Sequence, residues 1–114
     1  LGASAKRLRY SNQAIRLLLE KGYPVTPVHP KHEEIEGLAV TADLNQIEQP
    51  VDTLTLYVGP QRLAPMFDAV IRLRPRRVIF NPGTESEDLV RRLDEAGIAH
   101  LEACTLVMLK TDQF

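Results

Sequence analysis

The sequence predicts an α/β domain built in three layers, a mainly parallel sheet with helices on both faces. The first observation behind this is alternation: segments of helical period are separated by short β-type runs, the order of βαβ units. The second is coverage. A parallel sheet needs both faces buried, and the chain carries three helical stripes to bury them. The third is size, since 114 residues make one domain rather than two.

Ala14, Ile15, Leu18 and Leu19 mark the first helix, which ends at Gly22. A helix in this arrangement follows a strand, and only Leu1-Gly2-Ala3 stands before it. The expectation is that a few apolar residues once preceded Leu1 and completed a first, central strand. Tyr23–Val28 reads as the second strand, with Pro24 and Pro27 confining its pairing to the ends. Residues 31–50 are rich in Glu, Asp, Asn and Gln and predict a short strand near Ala39–Thr41 and a helical turn near Asp43–Ile47. Asp52–Val58 alternates Leu54, Leu56 and Val58 with threonine and tyrosine and reads as the third strand. Leu63, Met66, Phe67, Val70 and Ile71, spaced i, i+3, i+4, i+7 and i+8, give the clearest helix. Arg77–Phe80 is the fourth strand. Leu89, Val90, Leu93 and Ala96 mark a helix closed by Gly97, and Thr84-Glu85-Ser86-Glu87 has capping-box spacing with Thr84 as the cap. Ile98–Glu102 is a weaker last strand, and Leu106-Val107-Met108-Leu109 reads as a terminal helix packed on the sheet.

Composition excludes several classes. Cys104 is the single cysteine, which excludes an internal disulfide and any zinc site of several cysteines. With 44% hydrophobic and 25% charged residues the chain is globular rather than disordered. A net charge of −1 argues against a chain-wide electrostatic nucleic-acid binder but leaves room for a local basic patch. No apolar run approaches the ~20 residues that span a bilayer, and no signal peptide is visible. The expectation is a cytoplasmic protein with no nucleic-acid or membrane partner.

Open parallel sheets bind ligands beyond the carboxyl ends of their strands. After the first strand come Gly2, Ala3 and Ser4, then Lys6, Arg9, Ser11 and Asn12. After the second come Pro27, Val28, His29, Pro30 and Lys31; after the third, Val58, Gly59 and Pro60; after the fourth, Asn81, Pro82 and Gly83. The first of these loops is the best anion site. Gly2 allows close backbone approach, Ser4 offers a hydroxyl, and the following helix N-terminus presents amides with a positive dipole end. Its rival, the helix after Gly83, opens with Glu85, Glu87 and Asp88, which repel phosphate. An NAD site wants G-x-G-x-x-G and an acid after the second strand. Here no glycine falls between Gly2 and Gly22, and the second loop carries His29, Lys31 and His32, which favours a phosphorylated ribose. No catalytic constellation or metal site stands out. Cys104 has no neighbouring base in sequence and reads as a small buried hydrophobe. His100 reads as an edge or helix-contact residue, and Arg74-Pro75-Arg76-Arg77 as a helix end and solvated turn.

Several loops together carry a family pattern. They are Gly2-Ala3-Ser4 with Arg9 and Ser11, the run from Leu18 to Pro30 with Gly22, Tyr23 and Val28, and Ile35-Glu36-Gly37. Val51-Asp52, Gly83, Glu95-Ala96-Gly97-Ile98 and Cys104 follow in order. In these the sequence resembles the small stand-alone CoA-binding domain proteins, which are similar to the nucleotide-binding domain of the succinyl-CoA synthetase α-subunit. The resemblance implies a Rossmann-like fold with a five-stranded sheet of order 3-2-1-4-5. It also implies coenzyme A or an acyl-CoA lying over the four loops named above. This chain departs from the family in carrying His29 where asparagine is common, and Ile79-Phe80-Asn81-Pro82-Gly83 where W-x-Q-x-G is common.

The first reading is a non-catalytic CoA-binding module, with backbone amides of Ala3 and Ser4 and the cations Lys6 and Arg9 on the diphosphate. His29 or Lys31 would then approach the phosphorylated ribose. The rivals are a small NADP- or other nucleotide-using enzyme, and an interaction module with a vestigial cleft.

Overall fold

The computed structural model describes residues 1–114. In chain order the elements are α1 (Tyr10–Glu20), β1 (Glu34–Ile35), β2 (Leu38–Ala39) and β3 (Thr53–Leu56), then α2 (Pro60–Leu63) and α3 (Phe67–Leu73). They continue with β4 (Arg77–Phe80), α4 (Glu87–Ala96), β5 (Ala99–Glu102) and α5 (Thr105–Lys110). Short 3-10 turns lie at Leu44–Gln46 and Ala64–Met66. No helix is long and apolar enough to cross a membrane.

The strands form two separate sheets, which corrects the expected single five-stranded sheet of order 3-2-1-4-5. β3, β4 and β5 make a three-stranded parallel sheet in that order, with Leu54 opposite Val78 and Val78 opposite His100. β1 and β2 make a two-stranded antiparallel hairpin. Its turn, Glu36-Gly37, has positive φ at both residues, the geometry that matches hairpin twist. The predicted second strand, Tyr23–Val28, is not a strand: only Val28 takes part in pairing, through an isolated parallel bridge to Thr41. Pro24 and Pro27 have no N–H to give a ladder. Leu1–Ala3 is likewise no strand. The Leu1 nitrogen donates to Thr55 O and its carbonyl accepts from Tyr57 N–H, both at 2.9 Å. Gly2 and Ala3 then turn their amides to the single Val28 carbonyl, at 3.1 and 3.2 Å. Gly2 makes that turn with φ of +85°, outside the extended range a ladder needs.

Alternation decides what each face of the parallel sheet buries. Leu54, Leu56, Val78 and Phe80 join Leu63, Val70, Leu89, Leu93 and Ile98 in the main core. Six of these nine (Leu56, Leu63, Val70, Val78, Leu89 and Leu93) have no exposed surface, so truncation there leaves a cavity in place of packed side chains. Ile79 points to the other face, beyond which α1 packs against α5. Leu106, Met108 and Leu109 are buried, so the terminal segment is a packed helix as expected. The α4 cap differs from expectation. Ser86, not Thr84, accepts from the Leu89 amide at 3.2 Å, while the Thr84 hydroxyl donates to the Asn81 carbonyl at 2.8 Å. Thr84 is buried, so its hydroxyl is drawn inward rather than to the helix end.

Candidate functional site

A cavity of about 770 Å³ opens at the carboxyl end of β3, between the first loop, the Val28–Pro30 loop and α2. That volume is within the range of small-molecule sites. Of the residues singled out in sequence, Gly2, Ala3, Ser4, Lys6, Arg9 and Ser11 line it from the first loop. Val28, His29 and Pro30 line it from the second, and Val58 and Pro82 from the third and fourth. Asn12, Pro27, Lys31, Gly59, Pro60, Asn81 and Gly83 lie outside its lining.

The first loop is held in shape by α1 itself. Asn12 is fully buried, and its amide donates to the Ser4 carbonyl at 2.9 Å. The Asn12 carbonyl oxygen accepts from Arg16 Nε at 2.9 Å, and Arg16 Nη2 donates to the Arg7 carbonyl at 2.8 Å. Gln13 Nε2 donates to the Leu8 carbonyl at 3.0 Å. So three polar side chains of one helix turn anchor residues 4–8. Lys6 and Arg9 stay exposed at the mouth of the cavity.

The α1 N-terminus is open in two senses. Arg9, in the cap position, makes no side-chain cap, and the first turn carries no acidic residue. The α4 N-terminus is the opposite, capped by Ser86 and carrying Glu87 and Asp88. Its preceding loop is also closed, because the Gly83 amide donates to the Glu85 carboxylate at 3.0 Å. An anion is therefore favoured at α1 and opposed at α4. Ala3 differs from expectation: its amide is engaged by the Val28 carbonyl, and the Ser4 hydroxyl oxygen accepts from the Lys6 amide at 3.1 Å.

Asn81 serves the fold. Its side-chain amide donates to Thr55 Oγ1 at 2.7 Å and to the Leu56 carbonyl at 2.8 Å, and its oxygen accepts from the Thr105 amide at 2.9 Å. It thereby ties β3 and β4 to the start of α5. Cys104 is half-buried at the cap position of α5, not a core residue as expected. His100 Nε2 meets the Asp94 carboxylate of α4 at 2.7 Å, the helix contact expected of it. No group of three His, Cys, Asp or Glu side chains is placed to hold a metal ion.

Sequence reasoning missed Tyr57, Arg62, Met66 and Asp43, all in the cavity wall. Arg62 lies two residues beyond Pro60, so collecting residues through the first helical turn after each strand would have found it, whereas Tyr57 lies inside the Asp52–Val58 segment read as a strand. The Tyr57 hydroxyl is buried without a hydrogen-bond partner, and burial pushes its pKa up. Asp43 is turned to other use, accepting from the Asn45 amide at 2.9 Å. At the far rim the His29 and His32 rings lie 4.4 Å apart, and burial together with His32, Arg62 and Lys31 lowers the His29 pKa.

A parallel α/β sheet with a cationic cleft at its carboxyl ends defines a Rossmann-like domain of the kind that takes a nucleotide-type ligand. The chain belongs to the CoA binding domain family, whose model matches residues 1–110. The crystal structure of a protein described as uncharacterized is 39% identical, with TM-score 0.93 over 99% of this chain and 93% of that one. The cell-free ID.343 structure from Thermus thermophilus is 31% identical, with TM-score 0.91 over 100% of this chain and 87% of that one. A dinucleotide-forming acetyl-coenzyme A synthetase 1 from Ca. Korarchaeum cryptofilum shares the fold at 24% identity and TM-score 0.76, over 88% of this chain and 24% of that one. No curated protein matches the chain.

Proposed function

We propose that this single domain binds coenzyme A or an acyl-CoA without transforming it. The observation that carries this reading is the contrast between the two helix N-termini: α1 opens uncapped and acid-free onto the cavity beside Lys6 and Arg9, whereas α4 is capped and acidic. The diphosphate then lies over Ser4 and the α1 amides, where dipole and cations act together. The phosphorylated ribose lies toward His29, with Lys31 on the same loop. Val58, Met66 and Ala69 supply apolar wall for the rest of the ligand. Family membership supports the ligand class.

The test is a thermal-shift panel of CoA, acetyl-CoA, dephospho-CoA, NAD and NADP. A ligand that binds only the folded chain raises the melting temperature, by about 2.7 kcal/mol of added stability at a hundredfold excess over Kd. CoA and acetyl-CoA are expected to stabilise more than dephospho-CoA. No shift at millimolar CoA overturns the reading, and selective stabilisation by NADP replaces it with a nucleotide-using enzyme.

A further inference from the structure

Part of the cavity wall gathers basic side chains from separate elements. His29 lines it from the loop after Val28, His32 from three residues further on, and Arg62 from α2. The two imidazoles are within stacking distance at 4.4 Å. Lys31 stands between them in sequence and is exposed. Lys6 and Arg9 also line the cavity, and the one carboxylate in the wall is Asp43. Glu33 and Glu34 follow His32 but lie outside the wall.

We propose that His29, His32 and Arg62 form a proton-linked subsite for a phosphate monoester, so that a 3′-phosphorylated nucleotide binds more tightly as the pH falls from 8 toward 6.5. This rests on the CoA reading above and adds its regulation by protons. His29 Nδ1 accepts from the Lys31 amide at 3.0 Å, which fixes the neutral tautomer and leaves Nε2–H as donor. Burial first, and then the neighbouring His32, Arg62 and Lys31, lower the pKa of the ring. A phosphate dianion placed among them reverses the field. It attracts a proton to His29 Nδ1, which breaks the bond from the Lys31 amide and frees that N–H for the phosphate, while Nε2–H of the imidazolium gives a charge-assisted hydrogen bond. Binding is therefore accompanied by proton uptake. Below about pH 6 the phosphate itself takes a proton and the advantage fades.

Titration calorimetry of CoA and dephospho-CoA tests this at pH 8.0, 7.2 and 6.5, in buffers of different ionisation enthalpy. One proton taken up gives at most about tenfold in affinity per pH unit. CoA affinity should rise several-fold across the range with measurable proton uptake, and dephospho-CoA affinity should not. His29→Asn and His32→Asn should each reduce the CoA slope and the proton uptake. Equal slopes for the two ligands, or both variants keeping the wild-type slope, overturn the proton linkage and leave the CoA reading standing. If neither ligand binds at any pH, the CoA reading falls and this inference falls with it.

Discussion

Replacing Gly2 by alanine should unfold the protein more readily than any other glycine-to-alanine change at positive φ. Two costs meet at this residue. Its φ of +85° is strained for any residue with a Cβ, about 1–2 kcal/mol. The added Cβ would lie 2.8 Å from Val58 Cγ2 and 3.0 Å from both the carbonyl carbon and oxygen of Tyr57. Two of these three neighbours are backbone at the end of β3 and cannot rotate away, so overpacking adds about 1–3 kcal/mol. The sum, about 2–5 kcal/mol, corresponds to a melting temperature lower by about 10 °C or more for a domain of this size. Gly83→Ala is the matched control. Its φ of +91° carries the same strain, but nothing lies within 4 Å of the new Cβ. Urea denaturation of both variants separates contact from strain. If Gly2→Ala loses no more stability than Gly83→Ala, the close approach of the first loop to β3 is refuted.

Asn81→Ala leaves the Leu56 carbonyl and the Thr105 amide without their side-chain partner. A loss of about 2–4 kcal/mol in chemical denaturation is expected, and a loss near zero would contradict the tie between β3 and α5. Ser86→Ala removes the α4 cap and should cost about 1 kcal/mol, whereas Thr84→Ser, which keeps the hydroxyl on the Asn81 carbonyl, should cost less. Arg92, first by hydrogen bond and then by charge, holds the exposed Asp68 carboxyl below its usual range. A depressed carboxyl contributes stability above its unfolded-state value and loses it as the pH falls through the folded one. The acid limb of the stability profile should therefore flatten in Asp68→Asn, and an unchanged limb would show that the pair is idle.

Much of the local structure was legible in the chain. The Val-Ile-Phe run and Gly97 set a strand and a cap through neighbours only a few residues away, whereas the Leu63–Ile71 stripe, read as one helix, is divided by the 3-10 turn at Ala64–Met66 into α2 and α3. The Asp43–Ile47 turn was legible too, because the cap is Asp43 itself. The cap of α4 was not, since Thr84 and Ser86 have the same chemistry and burial against Asn81 chose between them. Asn81 shows the same limit. Its position after the fourth strand suggested a ligand contact, but only the packing of α5 against the sheet showed its three hydrogen bonds to be spent within the fold.

The candidate site divides along the same line. Gly2 and Ser4 were found because they lead into the first helical stripe, and His29 because it follows the apolar Tyr23–Val28 run, although neither preceding segment is a strand. Arg62 was missed because the loop read after the third strand stops at Pro60, and Tyr57 because it lies within the run read as the third strand. The alternation of helix with strand settled the α/β class, while the lone cysteine and the near-zero net charge only excluded a disulfide and a chain-wide electrostatic nucleic-acid binder. The number and pairing of strands were decided by tertiary structure. Prolines at 24 and 27 and the left-handed turn at Gly2 deny the second and first segments a continuous ladder, and hydrophobic pattern does not record which backbone amides remain available to pair.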